Sequence, residues 1–237
     1  MIKKALTLLI LVAAAISGAS AQKIYMIGDS HVAGKIYPRR VGEVLNERVS
    51  GIEFDFWGKN GATFNTFNES PQFMQRIYDA DPDILIVHLG TNDSYTTEFR
   101  EDRFERNLEE FYNNVSEHLP HCQIVFVTPF YNKVKEKGTR NWVVNESTRR
   151  CADALLQFAA DHPNCHVADN NADHGMEFLD GDGLIRNDYV HLSVDGYRIL
   201  GEQVARELLE IPEIWYGDED RGTTIDESLQ WFYELGE

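Results

Sequence analysis

The sequence predicts an α/β protein built on a parallel sheet, and two observations carry that reading. Short apolar runs alternate with longer amphipathic stretches along most of the chain, the rhythm of strand and helix repeats. Two of the runs, at 84–88 and 123–127, are almost continuously apolar, as strands are when helices cover both faces of the sheet.

In chain order, the expected strands are Lys23-Ile-Tyr-Met-Ile27, Ile52-Glu-Phe-Asp-Phe56, Ile84-Leu-Ile-Val-His88, Gln123-Ile-Val-Phe-Val127 and Cys165-His-Val-Ala168. Each is a short run of β-branched, aromatic or other apolar residues. The stretches at 35–48, 68–79, 101–118, 141–161 and 194–210 are longer and amphipathic, and are expected to be helices. There is no internal repeat and no low-complexity linker, so residues 22–211 are expected to form one domain. The segment 212–237 is an acidic extension with Asp218-Glu-Asp220, a short helix expected over 226–235, and Trp215, Trp231 and Phe232. So many aromatics in a tail argue that it packs on the domain.

Of 237 residues, 43% are hydrophobic and 26% charged, which is the composition of a folded globular protein rather than a disordered or fibrous one. The formal net charge of -17 disfavours nucleic acid and anionic membrane surfaces, whose affinity comes from Lys and Arg.

The N-terminus is expected to be a cleaved secretory signal. Lys3 and Lys4 form a basic head, residues 5–16 an apolar run, and Ala19-Ser-Ala21 a small-x-small cleavage pattern. Twelve apolar residues are too few to span a bilayer comfortably, and no later stretch is long enough, so no stable membrane anchor is expected. The first cysteine is Cys122, which leaves no lipid-attachment cysteine near the cleavage point. The mature protein is therefore expected to be periplasmic or secreted after cleavage following Ala21. The three cysteines, Cys122, Cys151 and Cys165, fit no zinc spacing. Cys122 and Cys165 each precede a strand and could bridge if those strands are neighbours; packed free thiols are the default.

The chemistry-bearing residues follow the strands. Gly28-Asp29-Ser30-His31 follows the first, Asn60-Gly61-Ala62 the second, and Gly90-Thr91-Asn92-Asp93 the third. In an open α/β sheet of order 2-1-3-4-5 these loops converge outside the carboxyl ends of the strands. Asp188-Tyr-Val-His191 stands just before the last helix, and of the eight histidines only His191 has an Asp three residues earlier. A serine hydroxyl needs a base to take its proton, and a neutral imidazole suits that task. The imidazole needs a carboxylate to fix its tautomer, and a tetrahedral oxyanion needs donors. Ser30, His191 and Asp188 meet the first needs; the Ser30 and Gly61 N–H groups and the Asn92 amide meet the last.

Taken together these blocks resemble the SGNH (GDSL-type) hydrolase family. Its first block appears as Gly28-Asp29-Ser30, with His31 where leucine is more usual; Gly61, Asn92, and Asp188 with His191 carry the other three. The resemblance runs from residue 24 to about 200. It implies a three-layer α/β/α sandwich around a mostly parallel five-stranded sheet of flavodoxin-like order. It further implies Ser30 as nucleophile, His191 as base and Asp188 as its orienting partner, with Ser30, Gly61 and Asn92 forming the oxyanion hole. Gly58 lies close to Gly61, so the donating glycine is less defined than the triad.

Each residue also has a plain reading. A Gly-Asp-Ser can be an ordinary turn, Asn92 a helix cap and Asp188 a helix-start residue. His31 and Tyr95 are expected at the substrate edge, and His88, inside an apolar strand, as a core histidine. Asp173 and His174 form the best substitute pair, without the one-turn spacing. Asp180-Gly-Asp-Gly183 is expected to be a turn rather than a calcium loop, since the rest of an EF-hand is missing. Trp57, Phe64, Tyr95, Phe130, Tyr131 and Trp142 are either sugar-stacking or packed aromatics, with packing the default.

The function expected is a secreted serine esterase that removes small acyl groups, most plausibly acetyl, from a carbohydrate or cell-envelope glycan. The mechanism needs neither metal nor organic cofactor. The alternatives are a lipolytic lysophospholipase or thioesterase of the same family, and a glycan-binding module with a relict site. The polar loops 59–63 and 92–97 speak against the lipolytic alternative, and the complete set of catalytic groups against the relict.

Overall fold

The computed structural model describes residues 21–95, 98–130, 140–171, 183–186, 188 and 190–215, with the side chains of 140–145 excepted. Five strands, β1 (Gln22–Gly28), β2 (Ile52–Gly58), β3 (Ile84–His88), β4 (Gln123–Val127) and β5 (Cys165–Ala168), form one sheet of order β2-β1-β3-β4-β5. Every pairing is parallel, with Ile24 opposite both Phe54 and Ile84. Around it run α1 (Ser30–Ala33), α2 (Ile36–Arg48), α3 (Phe64–Asn68), α4 (Pro71–Ala80), α5 (Thr91–Ser94), α6 (Glu101–His118), α7 (Arg140–Asp161), α8 (Val194–Leu209) and α9 (Pro212–Trp215).

Alternate residues of a strand face opposite sides, so the sheet divides the interior into two cores. On one face Tyr25, Ile27, Leu85, Val87 and Phe126 pack against α3, α4, α6 and α7. Phe104, Leu108, Phe111 and Val115 of α6 recur at intervals of three and four and are all buried, which puts them on one stripe of that helix. On the other face Ile24, Met26, Ile84, Ile86 and Val125 pack against Tyr37, Val41 and Leu45 of α2 and Leu200, Val204 and Leu208 of α8. The three-layer α/β/α sandwich and the strand order are those expected.

Three details differ from expectation or refine it. The helix expected over 68–79 is two helices, because Pro71 cannot continue α3 but suits the first turn of α4. Ser70, ahead of it, is extended, as a residue before proline prefers, and Thr63 and Thr66 cap α3 reciprocally. Although β4 and β5 are neighbours, Cys122 and Cys165 are free buried thiols, as is Cys151. Burial pushes the Cys122 and Cys165 thiols up to about 12, which suits packing rather than reactivity. Trp215, in the first residues of the extension, is buried and donates its indole N–H to Leu208 O at 2.7 Å. Trp231, Phe232 and the acidic run 218–220 lie outside the described residues, as do residues 1–20, Asp173, His174 and the segment 180–182. Among the described residues no helix is long and apolar enough to cross a membrane.

The order of connections reverses between β1 and β3, the two neighbouring strands reached by chain paths that leave in opposite directions. A crevice therefore opens outside their carboxyl ends. The β1, β2 and β3 exit loops meet there.

Candidate active site

The first wall of the crevice is the turn after β1. The Asp29 carboxylate caps α1, its Oδ1 accepting from His31 N at 2.9 Å, and this places Ser30 at the first position of that helix. The β2 exit is bound beside it, since Lys59 N donates to Gly28 O at 2.9 Å. Gly58 fits closely there: a Cβ would lie 2.3 Å from Ala33 N and 2.8 Å from Asp29 O. Gly61 is the opposite case, with φ +73 and open space around its Cα. Among the described residues neither the Ser30 nor the Gly61 N–H donates to a carbonyl, so both remain available to an incoming oxygen.

The β3 exit closes the crevice from the other side. Asn92 Nδ2 donates to Asp29 Oδ2 and to Ala62 O, both at 3.1 Å, so one amide joins the three loops. Both of its hydrogens are thereby engaged. Asp93 beside it accepts from Phe64 N at 3.3 Å through Oδ1, while its buried Oδ2 has no hydrogen-bond partner among the described residues. Burial pushes the Asp93 carboxyl up to about 7 against those backbone donors, so it is protonated in mildly acid solution.

His191 arrives from the segment before α8. Arg186 N donates to His191 O and Ser193 N to Leu184 O, both at 2.8 Å, and these bonds pin the base of that segment. Ser193 caps α8 by accepting from Gly196 N at 3.2 Å. The Asp188 Oδ1 accepts from Val190 N at 3.0 Å and His191 N at 2.9 Å, leaving Oδ2 against His191 Nδ1 at 2.9 Å. Burial works against ionisation of Asp188, yet these three N–H donors together outweigh it and hold the carboxyl at about 2. An ionised carboxylate on Nδ1 keeps the ring proton there and leaves Nε2 as an acceptor. That Nε2 lies 2.9 Å from Ser30 Oγ. Ser30, 161 residues from His191 in sequence, thus forms one continuous hydrogen-bonded row with His191 and Asp188.

His31 is not at the substrate edge. Its ring is completely buried, because the turn that presents Ser30 outward sends the next side chain into the second core. There its Nδ1 lies 3.1 Å from Tyr197 Oη, and the ring stacks on His88 with centroids 5.5 Å apart. His88 is the core histidine expected, with Nδ1 3.1 Å from Tyr37 Oη. Among the described residues both rings leave a buried Nε2 unpartnered, and such an atom costs about 1–3 kcal/mol. Burial, reinforced by the charge each would place on a neighbouring histidine, drives both imidazoles down to about 3, so they are neutral. Asp29 shifts upward from burial, an effect that the histidines and the His31 N–H oppose. Tyr95 stands 40% exposed at the end of α5. Phe64 and Phe130 are packed, and Trp57 lies edge-on to Phe67 and Phe73 with the Arg76 guanidinium 4.9 Å from its ring. The sequence pattern alone assigns no separate role to Asp29 or Tyr197. The only signal for Asp29 was its place within the Gly28-Asp29-Ser30 block, and nothing local marked Tyr197. Among the described residues no three His, Cys, Asp or Glu side chains cluster as a metal site.

The sequence pattern of the GDSL-like lipase/acylhydrolase family matches residues 26–199. The chain belongs to that family. No curated protein matches it by sequence. Among solved structures, this GDSL-like hydrolase is similar to a peptidoglycan O-acetylesterase, with TM-score 0.67 and 15% identity, over 86% of this chain and 95% of that one. It is also similar to Axe2, an acetylxylan esterase from Geobacillus stearothermophilus, with TM-score 0.62 and 20% identity, over 80% and 95% of the two chains. A third is LAE5, an α/β hydrolase from the metagenome of Lake Arreo, Spain, with TM-score 0.65 and 16% identity over 80% and 96%. At such identities the likeness establishes the fold. With the family, it makes the protein a carboxylic ester hydrolase of the GDSL type.

Proposed function

We propose that this hydrolase is an exported serine esterase that removes O-acetyl groups from a carbohydrate or cell-envelope glycan. The observation that carries the mechanism is the row Ser30 Oγ, His191 Nε2, His191 Nδ1, Asp188 Oδ2, with 2.9 Å at each hydrogen bond. Ser30 Oγ attacks the ester carbonyl as His191 Nε2 takes its proton, and Asp188 stabilises the imidazolium that forms. The carbonyl oxygen becomes an oxyanion held by the Ser30 N–H, the Gly61 N–H and one Asn92 amide hydrogen, which turns from its protein acceptor. Collapse expels the sugar oxygen, which takes the proton back from His191. Water then repeats the sequence on the acetyl-enzyme, releasing acetate and restoring Ser30. Each oxyanion donor is worth roughly 3 kcal/mol of transition-state stabilisation.

The acetyl and glycan assignments draw on the acetylxylan esterase and the peptidoglycan O-acetylesterase among the structural neighbours. Export draws on the basic head, apolar run and Ala19-Ser-Ala21 site, and wall polymers and polysaccharides lie outside the cytoplasm. The deciding experiment is hydrolysis of p-nitrophenyl acetate, butyrate and octanoate by the protein from Gln22 onward, with Ser30→Ala alongside. Acetate release from acetylated xylan and O-acetylated peptidoglycan follows. Acetate-preferring turnover lost in Ser30→Ala is the expected result. A preference for octanoate transfers the reading to the lipolytic class, and glycan binding without turnover on any ester transfers it to a binding module.

A further inference from the structure

Ser30 and His31 are consecutive, yet both address the same imidazole from different sides. Ser30 Oγ meets the edge of His191 at Nε2, and the His31 ring lies beside His191, with centroids 5.6 Å apart and planes tilted by 48°. His31 is itself held on every side: Tyr197 Oη at 3.1 Å, His88 stacked at 5.5 Å, and Phe130 edge-on at 5.1 Å. Tyr197 belongs to α8, the helix that begins just after His191. The contacts therefore close a ring: His191 to Ser30, along the backbone to His31, through Tyr197 into α8, and back along the chain to His191.

We propose that His31 is a positioning residue for the His191 base, fixing the tilt of that imidazole over Ser30 through the contact between the two rings and its own hydrogen bond to Tyr197. The inference rests on the reading of Ser30 and His191 as nucleophile and base. A leucine at this position fills volume but offers neither a flat face nor a partner for Tyr197 Oη. A neutral ring beside His191 also adds no charge to the imidazolium that forms when the base takes the Ser30 proton. That benefit requires His31 to stay neutral. The groups facing it are Asp29 and His191 from the site, His88 from β3 with Tyr37 behind it, Tyr197 from α8, and Asp188 across His191. Its complete burial among them keeps the proton off. The unpartnered Nε2 atoms of His31 and His88 show that polar rings are retained here at the expense of hydrogen bonding, a pattern expected where packing serves a site.

The test is steady-state hydrolysis of p-nitrophenyl acetate by His31→Leu, Tyr197→Phe and the double variant, with Ser30→Ala as reference and thermal melting of each. The expected result is a fall of about tenfold or more in kcat for His31→Leu, since small misplacements of a catalytic group are costly, with KM within about twofold. Tyr197→Phe falls in the same direction by less, and the double variant is no worse than His31→Leu, because the hydroxyl acts through the ring. Wild-type kcat per folded molecule in His31→Leu, with only the melting temperature lowered, overturns the proposal while leaving the nucleophile assignment intact. If His31→Leu does not fold, Tyr197→Phe decides alone, and an unchanged kcat there overturns it. Activity retained in Ser30→Ala removes the underlying reading instead.

Discussion

Asp29 Oδ2 accepts a hydrogen bond from Asn92 Nδ2 at 3.1 Å, while the other oxygen of the same carboxylate accepts from His31 N at 2.9 Å. One completely buried side chain therefore sets the turn that presents Ser30 and the amide proposed to receive the oxyanion. Asparagine has one acceptor oxygen, so Asp29→Asn must turn an NH2 toward one of those two donors. We expect it to lower kcat by about ten- to a hundredfold and to destabilise the fold by about 1–3 kcal/mol. Steady-state kinetics and urea unfolding measure the two effects; wild-type kcat in a folded Asp29→Asn protein removes the anchoring role.

Gly58 and Gly61 separate packing from chemistry. A Cβ at Gly58 runs into the Ala33 and Asp29 backbone at 2.3 and 2.8 Å, which no side-chain rotation relieves. Gly61→Ala meets open space but inherits φ +73, a strain of about 1–2 kcal/mol for a residue with a Cβ. Gly58→Ala is expected to lose stability first, with activity following the folded fraction. Gly61→Ala is expected to melt within a few degrees of wild type and to lose kcat out of proportion. Equal melting losses in the two variants would contradict the division.

Much of this architecture is legible locally. The apolar runs mark β3 and β4 because burial on both faces leaves no alternation, whereas the edge strand β2 alternates Ile52-Glu-Phe-Asp-Phe56, and the Asp188 and His191 spacing marks their pairing because it lies within one short segment. Pro71 was legible as a helix start, and the single helix expected over 68–79 overlooked it. His31 was not legible, because the depth of its ring depends on Tyr197, 166 residues away, and on β3 running beneath the turn. Nor could sequence show that Asn92 spends both amide hydrogens on protein acceptors, since one acceptor is the carbonyl of Ala62. The Cys122 and Cys165 neighbourhood was foreseeable, but a bond between them requires side-chain geometry that strand adjacency does not supply.

Asp188→Asn probes the orientation of the base. The carboxylate is held at about 2 by N–H donors, with burial opposing them, so it is ionised throughout the working range. An amide can turn its NH2 to Nδ1 and force the ring proton onto Nε2, where it can no longer accept from Ser30. The expected effect is a fall in kcat of about a thousandfold or more with little change in KM. Activity near wild type would show that Asp188 is only a turn residue.

Asp93 gives a stability that depends on pH in a defined direction. Its carboxyl rises from 3.8 to about 7 on folding, with burial the cause, so between about 4 and 7 the native state keeps a proton that the unfolded chain has released. This contribution is present in acid and is lost as pH rises through 7, up to about 4 kcal/mol in all. His31 and His88 act with the opposite sign: each falls from 6.5 to about 3, so the unfolded chain binds their protons first and stability rises with pH across that window. With two histidines against one aspartate, wild-type stability therefore still rises with pH between 4 and 6.5, but less steeply than the two histidines alone would dictate. Asp93→Asn resembles the protonated acid and still offers Phe64 N a carbonyl oxygen. Its advantage over wild type in urea midpoint should be smallest near pH 4, grow to pH 7 and flatten above it. A difference that stays constant from pH 4 to 8 would mean that Asp93 ionises as readily in the folded protein as in the unfolded chain.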